Sequence, residues 1–240
     1  MNEKLRELKD WIIESENVVF LGGAGVSTES NIPDFRGSNG IFLRGFDYPP
    51  ETIVSRSFYN RDPDEFYRFY RSRMVFPNAK PNKAHQILAK LERVGILKAV
   101  ITQNIDGLHQ EAGSKNVLEL HGNMHRNYCQ NCGKAYGLKK ILDAKTVPYC
   151  SCGGIIKPDV VLYGESLDEN VMQQAIHFIR NADVLVVGGT SLRVYPAAGL
   201  IDYYRGSRFI QIDREETAID ERVNLKITGN IGEILGQLFG

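Results

Sequence analysis

Short apolar runs that end in glycine or polar residues recur along this chain, and amphipathic helical patterns separate them. The runs are Val18–Leu21, Leu97–Thr102, Val117–Leu120, Asp159–Leu162, Asp183–Val187, Arg208–Ile212 and Asn224–Ile227. Between and around them, 3.6-residue periodicity predicts helices over Met1–Glu16, Pro63–Met74, Lys83–Val94, Leu108–Ala112, Leu138–Ala144, Glu169–Arg180, Ala197–Tyr204 and Ile231–Leu238. Strands buried on both faces and alternating with helices call for a doubly wound, Rossmann-like parallel sheet of the α/β class. Asp62 and Asn82 are expected as N-caps, with Pro63 in the first helical turn. The segment Ser38–Arg61, rich in glycine and proline and without a period, reads as a long loop.

At 240 residues the chain can bury one large core with a smaller appendage. Its formal net charge is +0, which gives no field to draw in nucleic acid or an acidic membrane surface. No window approaches the roughly 18 uncharged apolar residues of a membrane span. The charged N-terminus lacks the apolar centre of a signal peptide, so a cytoplasmic location is expected.

The strand ends carry the chemistry. After Val18–Leu21 comes Gly22-Gly23-Ala24-Gly25-Val26-Ser27-Thr28, a turn suited to a nucleotide pyrophosphate, with a helix N-terminus expected behind it. It runs into Pro33-Asp34-Phe35-Arg36-Gly37, too polar for a core. Gln103-Asn104-Ile105-Asp106 follows the second run, Gly188-Gly189-Thr190-Ser191 a later one, and Asp213-Arg214 another. In an open parallel sheet these ends border one crevice.

His121 closes the run Val117–Leu120 where that crevice opens. A neutral imidazole there is a candidate general base; a histidine satisfied by a backbone carbonyl fits the position equally. His85 and His177 lie within helical patterns and read as structural or solvated, and His125 only as a spare metal ligand. The four cysteines, Cys129, Cys132, Cys150 and Cys152, suit a tetrahedral, structural Zn2+; free buried or redox thiols are the alternatives. The aromatics Phe66, Tyr67, Phe69 and Tyr70 at helical spacing are expected to pack rather than to bind. The fold class is therefore α/β, a doubly wound sheet with a smaller inserted zinc-binding and helical domain. The larger unit takes 1–37, 82–123 and 157–240, and the smaller one 38–81 and 124–156.

In this order, these motifs resemble the sirtuin family of NAD-dependent protein deacylases. The resemblance rests on Gly23–Ser27, Ile32–Gly37, Thr102–His109, Glu119–Gly122, the two cysteine pairs, Lys157–Val161, Tyr163–Glu165 and Gly189–Ala198. It spans nearly the whole chain and is closest to compact bacterial or archaeal members. The resemblance implies that Ala24, Gly25 and Thr28 cradle the pyrophosphate of NAD, with Thr190, Ser191, Asp213 and Arg214 toward the adenosine. It puts Phe35 and Arg36 beside the nicotinamide and its ribose, Ile105 and Asp106 on the carboxamide, and Gln103 and Asn104 on the nicotinamide ribose. It makes His121 the general base, with Asn104 assisting. Val161, Tyr163, Gly164, Glu165 and Val194 are implied to hold the acyl-lysine and its peptide as an added strand.

The activity so implied is deacetylation of acetyl-lysine proteins or peptides, with release of nicotinamide and 2'-O-acetyl-ADP-ribose, by a monomer that binds neither membrane nor nucleic acid. NAD-dependent protein ADP-ribosyl transfer is the nearest alternative. A dehydrogenase would not explain the cysteines, and a zinc-ribbon module would explain little else. Three positions depart from the family pattern: Asn31 for glycine, Asp213 for asparagine, and one residue rather than two between Cys150 and Cys152. Asn31 is expected at positive φ. Members that favour malonyl or succinyl groups carry a tyrosine with an arginine three residues on; here Tyr67 is followed by Tyr70, which predicts a preference for uncharged acyl groups.

Overall fold

A computed structural model describes residues 3–34, 46–215 and 222–240. In chain order the elements are α1 (Glu3–Ile13), β1 (Val18–Gly22), α2 (Pro50–Ile53), α3 (Arg56–Arg61), α4 (Pro63–Phe69), α5 (Lys83–Arg93), β2 (Leu97–Thr102), α6 (Leu108–Glu111), β3 (Val117–Glu119), β4 (Gly122–Cys129), β5 (Ala135–Tyr136), α7 (Leu138–Leu142), β6 (Ile156–Val160), α8 (Glu169–Arg180), β7 (Val184–Gly188), β8 (Arg208–Asp213), β9 (Leu225–Thr228) and α9 (Ile231–Phe239).

Six strands form one parallel sheet in the order β3-β2-β1-β7-β8-β9. The chain leaves β1 toward β2 and β3, then returns to β1's other side at β7. The carboxyl ends of β1 and β7 therefore flank the switch point where a doubly wound sheet opens its ligand crevice. Alternation sorts the side chains to two covered faces. Val18, Phe20, Val184, Val186, Ile210 and Ile212 pack against α1, α5 and α9. Val19, Leu21, Ile101, Leu185 and Val187 pack against α8 and the 3-10 segment Ala197–Tyr203.

The smaller sheet, β5-β4-β6, is antiparallel and shares a third core with α2 to α4 and α7. Here several expectations need correction. The run Asp159–Leu162 does not extend the parallel core; its strand is Ile156–Val160, paired with β4. The expected loop Ser38–Arg61 contains two helices, α2 and α3, from residue 50 on, while 38–45 lie outside the described residues. The predicted helix Pro63–Met74 is α-helical only to Phe69 and closes as a π turn over Tyr70–Met74. Its four aromatics are buried and pack on one another, as expected. Asp62 and Asn82 are the N-caps, each accepting from a backbone N–H of the first turn.

Two histidines sit deep under the large sheet. His85 on α5 accepts from the Asn82 backbone N–H at 3.2 Å, and its ring lies 4.7 Å from that of His109 on α6. Burial lowers their pKa values, His85 to about 4 and His109 to about 3, and His85 further disfavours charge on His109. Both fold as neutral rings. The unfolded chain, with ordinary values near 6.5, therefore takes up protons first as pH falls. The stability is fully present above that value and declines below it. Between pH 7 and pH 5 the pair is expected to remove up to about 4 kcal/mol. Urea denaturation at the two pH values checks this, and His109→Leu should roughly halve the loss.

Candidate active site

The turn after β1 is built against the turn after β7. The Gly25 N–H donates to the Gly189 carbonyl at 2.8 Å, and Gly23 donates to Gly188 at 3.2 Å. A Cβ on Gly25 would fall 2.6 Å from the Gly189 Cα, and one on Gly189, whose φ is +60°, 2.4 Å from the Val26 nitrogen. The two glycines are thus required by the back-to-back approach of two loops, not by a ligand alone. No α-helix follows the first turn. Two three-residue 3-10 turns, Ala24–Val26 and Thr28–Ser30, take its place. Asn31 ends the second at φ 61°, the left-handed conformation expected of it.

The loop after β2 is locked into that frame. The buried Asn104 side chain donates to the Gly23 carbonyl at 3.0 Å and to Ser27 Oγ at 3.1 Å. The Ser27 hydroxyl donates in turn to Asp106 Oδ2 at 2.6 Å, and the Leu108 backbone N–H donates to Oδ1 at 2.9 Å. Burial raises the Asp106 pKa against these stabilising donors. Gln103 spans to the other side, its amide donating to Thr190 Oγ1 at 3.0 Å. Ser27 is a hub that the sequence reading passed over; its signal was a small hydroxyl residue directly after the glycine turn.

His121 follows β3, and its ring is both held by a backbone carbonyl and open to the cleft. Its Nδ1 lies 2.9 Å from the Gln103 carbonyl oxygen, which can only accept, so Nδ1 carries the proton and Nε2 keeps its lone pair. The ring also lines the cleft. Burial lowers its pKa, with the Gln103 carbonyl opposing, and the imidazole is neutral at pH 7.

The cleft, about 410 Å³, runs along the ends of β1, β2, β7 and β8 and reaches the smaller sheet, within the usual range for a small-molecule site. It gathers Ala24, Gly25, Gln103, Asn104, Ile105, Asp106, His121, Thr190, Ser191, Asp213 and Arg214. Arg214 donates to Asp34 at 3.2 Å and ties the two walls of its far end together, while burial raises the Asp213 pKa. Thr28 is the exception: it lies behind the wall, donating to the Gly25 carbonyl at 3.0 Å. Phe35 and Arg36 fall outside the described residues.

At the other end lie Val161, Tyr163, Gly164, Glu165 and Val194. The Tyr163 N–H donates to Val54 at 3.0 Å and its carbonyl accepts from Arg56 at 2.8 Å, so its peptide groups are already committed and its ring stands exposed at the rim. Glu165 is held by Arg56 and Lys157, each at 3.1 Å. Met74, the last residue of the π turn, and Phe76 beyond it add an apolar wall that the sequence reading did not anticipate.

Away from the cleft, Cys129, Cys132, Cys150 and Cys152 bring their sulfurs within 4.8 Å of one another as free thiols. The closest pairs, Cys129 with Cys152 and Cys132 with Cys150, stand at 3.5 and 3.6 Å. A tetrahedral zinc with Zn–S bonds near 2.3 Å needs sulfurs about 3.8 Å apart. The donor set fits. His125 takes no part and hydrogen-bonds the Asp106 carbonyl instead. The short second pair is accommodated by Gly153 at φ +83° and by Gly154, whose Cβ would meet Cys129 Sγ at 2.7 Å.

Among known proteins, the Sir2 family profile matches residues 23–196. An NAD-dependent protein deacetylase of Clostridium acetobutylicum is 54% identical over 237 residues, 97% of each chain. One of Clostridium perfringens is 55% identical over 242 residues, 99% of each. A solved Sir2 structure with a p53 peptide and NAD+ superposes with TM-score 0.88 at 41% identity, over 99% of this chain and 97% of that one. Another, with 2'-O-acetyl-ADP-ribose and a deacetylated p53 peptide, gives 0.86 at 39% identity, over 97% and 96%.

Proposed function

This chain belongs to the Sir2 family and is an NAD-dependent protein deacetylase, and we propose that His121 is its general base, in a cleft that takes NAD at one end and acetyl-lysine at the other. NAD supplies the glycosidic bond whose cleavage releases nicotinamide and leaves a ribose carbon open to the acetyl oxygen. The residues do the rest. His121 Nε2, unprotonated and facing the cleft, accepts a proton from a ribose hydroxyl and so turns that hydroxyl toward the acetyl carbon. Asn104 and Asp106, immobilised through Ser27, give fixed polar atoms beside it, Asp106 for the carboxamide and Asn104 for the ribose. Gln103 and Ile105 line the same end, where the family resemblance also expects Phe35 and Arg36. Ala24 and Gly25 border the diphosphate, the Gly25 N–H being committed to the Gly189 carbonyl, and Thr190, Ser191, Asp213 and Arg214 stand toward the adenosine. Thr28 supports the turn from behind. Val161, Gly164, Glu165 and Val194 hold the peptide, and the tetrathiolate carries a structural zinc.

The observation that carries this reading is the His121 geometry: one nitrogen fixed by a carbonyl, the other left basic in the crevice at the switch point. We place the cofactor unit at 1–37, 82–121 and 163–240 and the small unit at 38–81 and 122–162: β4 and β6 form the small sheet and Val160 and Leu162 lie in its core, so the second insertion is wider than the expected 124–156. We infer a cytoplasmic monomer acting on acetylated proteins; four cysteines clustered for a metal rather than paired as disulfides suit a reducing compartment.

Acyl preference follows from the wall. The Tyr67 hydroxyl is buried on the Ile156 carbonyl at 2.5 Å, Arg68 is paired with Glu65, and Arg71 donates to Thr146. None reaches the cleft, where Met74 and Phe76 stand instead. Incubation with NAD and acetyl- or succinyl-lysine peptide, followed by mass spectrometry, is expected to yield nicotinamide, free lysine peptide and 2'-O-acetyl-ADP-ribose. Desuccinylation should be slower by at least about tenfold. ADP-ribosylated protein without free lysine would overturn the deacetylase reading, and faster desuccinylation would overturn the preference.

A further inference from the structure

We propose that Arg193 reads the charge of the peptide beside the acetyl-lysine and favours substrates with an aspartate or glutamate there; the inference rests on the deacetylase reading above. Its warrant begins one residue earlier. Leu192 is buried yet sits at φ 48°, a conformation that a branched side chain avoids. It is held there by its own packing in the core and by its N–H, which donates to Thr190 Oγ1 at 3.2 Å. With Leu192 pinned inward, the loop turns Arg193 out to the rim of the cleft.

Among the described residues, two arginines line this cleft. Arg214 is spent on Asp34 across the adenosine end. Arg193 forms no ion pair or hydrogen bond among the described residues. The acid nearest the peptide end, Glu165, is already matched by Arg56 and Lys157, and Asp106 is buried on Ser27 and Leu108. An uncommitted cation thus stands directly before Val194, on a rim that also carries the exposed rings of Tyr163 and Tyr195, 40% and 75% accessible. A peptide carboxylate arriving there meets a cation with no other partner among the described residues, whereas a lysine is repelled.

A rim charge acts mainly on encounter and binding, so the effect belongs in KM rather than kcat. The test uses acetyl-lysine peptides that are identical except for Asp, Ala or Lys on either side of the acetyl-lysine. The wild type is expected to rank them Asp, Ala, Lys, with steps of about threefold in kcat/KM carried by KM. Arg193→Gln should flatten the ratios and Arg193→Glu should reverse them, and raising the salt should shrink the wild-type ratios. The inference is overturned if the ranking survives charge reversal, if the wild-type ratios are flat, or if the variants act by raising KM for NAD, which would turn Arg193 toward the cofactor. Failure of the wild type to release free lysine from the Ala peptide sinks the deacetylase reading itself. An active enzyme with flat ratios sinks this inference alone.

Discussion

Replacing His121 by alanine is expected to cut turnover by about 10²- to 10⁴-fold while leaving zinc content and melting temperature near those of the wild type. The ring makes one hydrogen bond, from Nδ1 to the Gln103 carbonyl, so little structural stability is lost with it. The backbone that carries it is held independently. The Val161 N–H donates to the His121 carbonyl at 3.0 Å, and Gly122 follows at φ +77°, where a Cβ would lie 2.0 Å from the Asp159 carbonyl oxygen. The variant should still bind NAD, and what it lacks is the acceptor for the ribose proton. The pH profile gives an independent reading. Burial holds the imidazole below its ordinary value, so the acid limb of the wild-type rate should lie at lower pH than a free imidazole would give. Simultaneous assay of nicotinamide and free lysine decides the matter. A variant retaining more than about a tenth of wild-type kcat would remove His121 from the general-base role.

The parallel core was legible because its strands are β-branched runs with both faces buried, and their periodicity has no competing reading. Asp62 and Asn82 announced their helices through side-chain chemistry that works locally. The smaller sheet was hidden for the opposite reason. β4 reads Gly-Asn-Met-His-Arg-Asn-Tyr-Cys, with no β-branched residue and with a register shift between Asn123 and Asn127 that breaks alternation. β5 is two residues long. Such strands exist through their partners. The same holds inside the cleft. The strand ends could be read as polar, but not the contacts between them, such as Asn104 on Gly23 or Gln103 on Thr190, which join residues distant in sequence. Tyr163 illustrates the limit: the resemblance implies a place in the peptide clamp, whereas its own peptide groups pair with Val54 and Arg56, partners that no local pattern announces.

Removing the metal is expected to melt the smaller sheet and to silence the cleft with it, leaving the six-stranded core folded. A sheet whose outer strand has two residues cannot stand on its ladder alone, and small units of this kind rely on a metal or another cross-link. Cys129 and Cys150 belong to the buried core of that unit, beside Ile141, Val147 and Ile156. Without an ion, four thiol groups within 4.8 Å have no common partner; with one, its binding energy is folding energy for the unit. The link to chemistry is a single strand. β4 ends at the first zinc cysteine, Cys129, and begins at Gly122, directly after His121. β6 pairs with both its ends, Val160 against Gly122 and Ile156 against Cys129. Loosening the cysteine end therefore frees the strand that positions His121. Cys132→Ser changes an exposed ligand without opening a cavity, which isolates the metal from the packing. This variant should lose the single equivalent of zinc expected in the wild type, keep most of its far-UV helical signal, and fall below about a tenth of wild-type activity. A chelator should do the same to the wild type, reversibly on zinc addition. Less than half an equivalent of zinc in the freshly purified wild type, or full activity in Cys132→Ser, would refute a structural metal at these cysteines.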